Sequence, residues 1–486
     1  MITSDASPAP TATVPPSRAA APIGAGPSRD ELAVRLFTRS ITREHGFEPL
    51  EVEGALPREL RGTLVRNGPG QFGQFGQRYA HSFEGDGLIT AIRLDGGAAH
   101  GACRLTAGAG LTAERAAGKV LYGTALPWRR RFANALAGRS KNTANTHVVP
   151  WQGRLLALME AARPTELALD AHDVTTIGET DLGGVVGAAM SAHPHRVAAR
   201  AASYNFGVEY GRHNRIVAYE LPDVGPARRV GEVGVGFSPM LHDFIATAHH
   251  LVWFLSPVAV HVPRMLLQLG DFNQLFRWQP ERGTEVIVMP IDRPAEVRRF
   301  TVDAFYQWHF ANAHERDGLI ELDYVRYPDF ASFGNLATGT DAGGLSDGRL
   351  HRATLDVAAG TLRSTQLLDD AVEFPRVHPG RDGEAHGHTW LVGARLDSVL
   401  GRAETGTVTR HQFAAHEAVS EAVFVPRPGA SAEDDGWLVT LLYDGRADRS
   451  GLAVLDARDL PAGPVARAWF DHAVPITFHG SWLPAQ

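Results

Sequence analysis

Histidine is abundant in this chain and cysteine is almost absent: 22 histidines stand against a single thiol, Cys103. One cysteine excludes an internal disulfide framework and any zinc or iron–sulfur site built on several thiolates. Metal chemistry must therefore rest on imidazole, with or without carboxylates. Four histidines sit in similar short contexts: His193 in SAHPHR, His242 in PMLHDF, His309 in QWHFANAHE and His479 in TFHGSW. Their neighbours are mostly apolar or small, a setting that penalises an imidazole without a partner. Taken singly, each reads most simply as a satisfied core or turn histidine, and no compact HExxH-type motif joins them. Three glutamates abut similar apolar, strand-like residues: Glu160 in LLALMEAARP, Glu373 in AVEFPRV and Glu421 in SEAVFVPRPG. A lone carboxylate is unfavourable there; accepting the free ring N–H of a metal-bound histidine is one reason to keep it. A solvated carboxylate at a strand edge is the plainer alternative. Two further groups compete. His386 and His388 in GEAHGHTW would share a face if that segment were a strand, and His249 and His250 are adjacent in TAHHLVW.

Ligands this far apart in sequence need a fold that returns them to one point. From about residue 31 the chain reads as short strands separated by turns. Examples are RLLALMEA (154–161), HLVWFLSP (250–257), TEVIVMPI (284–291), LIELDYVRYP (319–328) and GWLVTLLYD (436–444), the last continuing into a second strand through an Asp/Gly/Ser turn. RDELAVRLFTRS and PWRRRFANALAG (127–138) carry helical periodicity, the latter with Gly138 as its stop. Regular short strands over such a length suggest a closed or radial β architecture such as a propeller. In a propeller, each inner strand can aim one side chain at the axis, so axial ligands are necessarily distant in sequence. The glycine-rich stretches RGTLVRNGPGQFGQFGQ and FEGDGLITAIRL lack the Gly-Lys-Ser/Thr ending of a phosphate loop and read as tight turns between strands.

A net charge of −7 without blocks of like charge makes no case for a nucleic-acid partner. The Ala/Pro/Ser-rich start, 1–30, reads as a disordered leader without the apolar core of a secretion signal, and 31–486 as one domain. No uninterrupted apolar run is long enough to span a bilayer. With a single thiol, the expected location is cytoplasmic.

Read together, LRGTLVRNGPG, FEGDGLI, KNTANTHVV, LLALMEA, SAHPHR, LHDF, HFANAHE, EFPRV, EAVFVP and FHGSW resemble the carotenoid cleavage oxygenase family, in the family's order, over nearly the whole length after the leader. The resemblance implies an all-β, seven-bladed propeller with a small helical cap. It also implies one Fe2+ on the axis held by His193, His242, His309 and His479, with Glu160, Glu373 and Glu421 as the outer carboxylates. The implied reaction is oxidative cleavage of a conjugated C=C bond by O2 into two aldehydes. The sequence is most similar to the apocarotenoid 15,15'-oxygenase branch, whose products are retinal-type; the substrate is then an apolar polyene, and no acid–base residue beyond the metal centre is expected. The apolar but Pro- and Arg-broken segment 251–272 suggests peripheral contact with a membrane surface. Two positions depart from the family pattern: Leu241 replaces a methionine before the second histidine, and His314–Glu315 replaces an acidic pair, bringing another imidazole near His309. Other readings are a stilbene-cleaving relative, for which Lys141 matches the phenol-gripping lysine but no tyrosine is found in HGACRLTAGAG, an isomerohydrolase-like relative, and a non-catalytic binding propeller.

Overall fold

The computed structural model describes residues 27–336 and 347–485. The expected leader lies outside them up to residue 26. At its end Ser28 already caps a helix, Arg29–Thr38, accepting from the Glu31 N–H while Glu31 reaches back to the Ser28 N–H. That helix buries Leu32, Leu36 and Phe37, and Arg29 donates to the carbonyls of Phe413, Ala414 and Glu417.

Seven antiparallel sheets follow one another along the chain and form the blades of a β-propeller. The inner strands of blades two to six are His147–Trp151, His195–Val197, Ile245–Ala246, Tyr306–Arg316 and Val372–Arg376. The seventh begins with Glu417–Val419 and Val423–Pro426, both paired with Gly436–Asp444. The ring closes twice. His479–Pro484, at the C-terminus, becomes the inner edge of the first blade by pairing with Gly62–Pro69. Glu51–Gly54, near the N-terminus, becomes the outer edge of the last blade by pairing with Pro464–Trp469.

Each blade is covered on both faces by its neighbours, which explains strands that are apolar throughout rather than alternating. In His250–Leu255 (HLVWFL), Leu251, Trp253 and Leu255 pack with residues of the third blade such as Phe206 and Ile216. The alternate residues Val252 and Phe254 pack with Phe310 and Tyr324 of the fifth. Period-two alternation survives, but both faces are core.

The five strands expected from sequence all form, at Arg154–Leu158, His250–Leu255, Thr284–Pro290, Leu319–Tyr327 and Gly436–Asp444. So does the second helix, Trp128–Leu136, followed by Gly138 at φ 61°. Three expectations change, one of them in FEGDGLITAIRL, where Gly87–Asp95 is a largely buried strand and neither Gly85 nor Gly87 has a positive φ. RGTLVRNGPG is not a turn: Gly62–Pro69 is a fully buried strand. Its Gly68 has no positive φ, but a Cβ there would lie 2.3 Å from the Ile476 carbonyl oxygen, so the glycine permits a close approach between strands. Segment 251–272 is not one surface patch, because its first residues are the buried strand just described. Only its later part leaves the blade, as the strand Val258–Val260 and the helix Val262–Leu267, and the excursion returns beyond the segment through the strand Phe276–Trp278, which pairs with Val258–Val260. This excursion, the helices Ala109–Ala117 and Trp128–Leu136, and Ala331–Leu336 make the cap. No described helix is long and apolar enough to cross a membrane.

Candidate metal centre

One histidine comes from each of four blades. His193 lies two residues before the inner strand of blade three and His242 three residues before that of blade four, His309 lies within that of blade five, and His479 opens the inner strand of blade one. All four are buried, and one nitrogen of each lies within 4.8 Å of the others. The remaining three blades each supply a carboxylate. Glu160 follows the second strand of blade two, and its Oε1 lies 2.7 Å from His242 Nδ1. Glu373, in the inner strand of blade six, lies 2.5 Å from His309 Nδ1. Glu421, between the inner segments of blade seven, lies 2.9 Å from His479 Nδ1. Among the described residues no carboxylate pairs with His193, whose N–H and the His242 carbonyl are both bound by the Ser191 hydroxyl.

The contacts to Glu373 and Glu421 decide the tautomers of His309 and His479, while Glu160 stands beside His242 without hydrogen-bond alignment. A ring that gives its Nδ1–H to a carboxylate presents a lone pair at Nε2. Yet His242 Nε2 lies 3.0 Å from His193 Nε2 and 3.2 Å from His309 Nε2. His309 and His479, each giving its Nδ1–H to a carboxylate, turn their other nitrogens into the same cluster, and such lone pairs repel unless a cation lies between them. Metal–nitrogen bonds of about 2.1 Å place neighbouring ligands about 3 Å apart, so the spacing suits a first-row transition metal. Burial, then the adjoining imidazoles, holds His193 well below its ordinary pKa. Burial also pushes His309 and His479 down to about 3. Neutral rings are what a metal requires, and four of them disfavour Mg2+ or Ca2+, which prefer oxygen.

The carboxylates are held differently. Glu421 accepts from Arg66 at 2.6 Å and from Arg376 at 2.8 Å as well as from the Gly480 N–H. Burial alone would raise its pKa, but Arg376, His479 and Arg66 hold it well below the carboxylate range. Glu373 accepts from the Tyr327 hydroxyl at 3.0 Å and from the Phe374 N–H, and burial pushes it up to about 7. Phe374 sits at φ 52°, a strained conformation for a non-glycine residue, and stacks on the His309 ring. Since two guanidinium groups already offset Glu421, Glu160 and Glu373 remain to balance a dication.

Two cavities flank the cluster. Under the cap, a space of about 590 Å³ is lined by Phe83, Phe272, Phe276, Phe333, Met240 and Leu241, and reaches Glu160. That size and lining suit a small apolar molecule. The second, about 210 Å³, is lined by His193, His309 and His479 of the cluster, by Phe374 and Phe424, and by the charged or polar His147, His195, Asp243, Arg376 and Glu421.

All seven residues expected from sequence thus meet at one point. The competing histidines do not. His386 turns its Nε2 to Asp323 at 3.2 Å, while His388 faces Asp434. His250 pairs with Glu315 at 3.0 Å. His314 lies 3.5 Å from Glu321 and is not part of the cluster near His309. Sequence reasoning missed Arg66, Arg376, Tyr327 and His147, whose Nδ1 lies 2.7 Å from the Ala192 carbonyl oxygen. Arg66, Arg376 and His147 lie inside the recognised motifs, but only the fold shows that they touch the site.

Comparison with known proteins agrees with this geometry. The profile of the RPE65 family, retinal pigment epithelial membrane protein, matches residues 38–484. The apocarotenoid-15,15'-oxygenase of Synechocystis sp. is 34% identical over 89% of this chain and 92% of its own. A carotenoid cleavage oxygenase of Mycobacterium tuberculosis is 28% identical over 92% and 96%, and an isoeugenol monooxygenase of Pseudomonas putida 27% identical over 93% and 97%. Among solved structures, cobalt-substituted Synechocystis ACO superposes with a TM-score of 0.85 at 31% identity, covering 93% of this chain and 98% of that one. On the profile match, the overall identity and the shared propeller, the chain belongs to the RPE65 family of carotenoid oxygenases.

Proposed function

We propose that this protein is a non-haem Fe2+ dioxygenase that cleaves a conjugated double bond of an apocarotenoid into two aldehydes, one of them retinal-type. The observation that carries the reading is the buried four-histidine cluster beside the aromatic cavity under the cap, whose wall includes Glu160, 2.7 Å from His242, and Leu241, which precedes His242 in the chain. The overall change balances as R–CH=CH–R' + O2 → R–CHO + R'–CHO, so no external reductant is needed. His193, His242, His309 and His479 would hold the metal, and Glu160, Glu373 and Glu421 would fix three of the rings. Bound iron supplies the one-electron chemistry that lets O2 react with an alkene. The protein's own task is placement. Phe83, Phe272, Phe276 and Phe333 form a wall on which a polyene can lie flat with water excluded, and the depth of threading selects the bond.

An apolar substrate of this kind is collected most readily from lipid. The helices Trp128–Leu136 and Val262–Leu267 border the cavity and carry exposed Trp128, Leu136, Val262 and Leu267, with Leu269 just beyond. These residues form the surface we assign to peripheral contact with the cytoplasmic face of a membrane. A reduced, buried Cys103 accords with that location.

A second reading, cleavage of a phenolic alkene, is favoured by one observation. The Tyr79 hydroxyl is buried without a hydrogen-bond partner among the described residues, on the same cavity wall as Lys141. Lys141, however, is held by Asp86 at 2.7 Å and Glu114 at 2.6 Å, which satisfies much of its charge. The deciding experiment supplies O2 to the anaerobically prepared Fe2+ protein with apocarotenals, intact carotenes, hydroxystilbenes or isoeugenol. Aldehydes identified by mass should arise from apocarotenals; cleavage of the phenolic alkenes alone would reverse the assignment.

A further inference from the structure

A second group of metal-binding side chains lies far from the axis, at the outer seam where the ring closes. His45 opens the outermost strand of the first blade, His45–Pro49, and stands directly opposite Cys103 of the neighbouring strand Ala98–Leu105. His472 belongs to the last blade: it follows the strand Pro464–Trp469, and its carbonyl accepts from the Ser450 N–H at 2.9 Å. One nitrogen of each ring and the Cys103 sulfur all lie within 4.8 Å of one another.

The hydrogen bonds leave these rings incomplete. His45 Nδ1 lies 2.8 Å from the Gly46 carbonyl oxygen, which makes Nδ1 the protonated nitrogen. His472 Nδ1 lies 2.8 Å from Asp471 Oδ1, with the same consequence. Each ring therefore presents an Nε2 lone pair, and neither Nε2, though buried, has a hydrogen-bond partner among the described residues. His45 is 6% exposed and Cys103 wholly buried. The thiol has one weak neighbour, the Thr90 hydroxyl at 4.0 Å. Two orphaned imidazole acceptors beside a thiol are poorly explained as apolar packing, because each lost its hydration on folding. A cation satisfies all three at once, and the oriented Nδ1–H groups are those expected behind metal-bound histidines.

We propose that His45, Cys103 and His472 form a second metal site, suited to a borderline dication such as Zn2+, that clamps the first blade to the last. Two neutral imidazoles and one thiolate favour such a cation over Mg2+ or Ca2+. Loading exchanges the thiol proton for the metal: Cys–SH + Zn2+ → Cys–S–Zn+ + H+, the proton leaving to water. Access runs through an adjoining cleft of about 400 Å³ lined by His45, Glu48 and Asp471 among others. A water molecule from that cleft would complete a four-coordinate shell. The seam is bridged nearby by Arg43, which joins Asp471 at 2.9 Å, so the metal would reinforce a closure already made by strand exchange and ion pairing.

Because Cys103 is the chain's only cysteine, its signal identifies the site without ambiguity. Full-length protein with its axial site loaded with Fe2+ is titrated anaerobically with Co2+. Thiolate-to-cobalt charge-transfer absorption should grow to about one further equivalent; cobalt in the all-histidine axial site cannot produce it. Cys103→Ser should abolish the band while keeping iron content and oxygenase activity. His472→Gln should keep the thiolate but weaken Co2+ binding about tenfold or more. Zn2+ should raise the melting temperature of the wild type, leave that of Cys103→Ser unchanged, and raise that of His472→Gln only at correspondingly higher concentration. The absence of a charge-transfer band in wild-type protein of normal iron content would overturn the site, whatever substrate the axial centre proves to act on.

Discussion

The two sides of the histidine cluster are built from different parts of the chain. The cavity under the cap takes its wall from excursions that leave the blades, including the helices Trp128–Leu136 and Val262–Leu267 and the segment around Phe272–Phe276, and its lining is largely aromatic and apolar. The smaller cavity opposite is lined from the inner strands themselves and from the residues just before them, and is crowded with His147, His195, Asp243, Arg376 and Glu421. Excursions can change length and composition without disturbing the ring, so they are suited to selecting a substrate. Inner strands are tied to neighbours on both sides, so they are suited to holding ligands in place. On the proposed function, the protein thus separates what recognises a substrate from what would hold the metal.

If that division is right, substitutions on the two sides should fail differently. His309→Ala removes one of the four rings positioned to hold the metal. Iron measured by mass spectrometry should fall well beyond the roughly 10–100-fold loss of affinity typical of an outer partner, and cleavage should fall to background. Next comes Glu421→Ala, which strips Arg66 and Arg376 of their shared carboxylate. Urea denaturation should show a loss of about 3–5 kcal/mol together with reduced iron content. On the other side, Phe333→Ala removes a ring stacked against Phe330 and His81. It should lower stability by about 3 kcal/mol and raise KM, yet leave iron at about one equivalent; loss of iron there would break the division. Tyr327→Phe deletes one hydrogen bond to Glu373 and should lower stability by about 1 kcal/mol with iron retained. Leu267→Ser, at an exposed site, should leave the denaturation curve within about 0.5 kcal/mol while reducing co-sedimentation with lipid vesicles. Unchanged co-sedimentation would remove the membrane role from that helix.

Legibility followed the same division. His193, His242, His309 and His479 could be picked out together only because their motifs occur in the family's order. Nothing in their spacing distinguishes them from His386 or His250, which the fold sends to Asp323 and Glu315. The strands were readable where both faces are apolar, as in His250–Leu255 and Gly436–Asp444. Gly62–Pro69 was not, because glycines placed for close approach between strands look like turn residues. The apolar run from 251 was misread as surface for a related reason: hydrophobicity does not say whether its partner is lipid or a neighbouring blade. Tyr327 was invisible as a partner of Glu373, since a hydroxyl that meets a carboxylate across two blades leaves no local pattern. Cys103 was counted as a lone thiol, although a register pairing and a seam bring two imidazoles to it.

By itself the sequence determined the class of strand-rich chain, two of the helices and the stop of one at Gly138, the dependence of any axial metal on imidazole, and, through resemblance, the seven candidate residues. These are properties of residue type, short-range pattern and motif order. The tertiary structure alone decided which lone pairs face one another, which charges are buried together, and which apolar surface bounds the cavity. Each of those depends on residues tens to hundreds of positions apart, as His479 and Arg66 show. They meet because the last strand of the chain pairs with an inner strand of the first blade, and no local pattern encodes that closure.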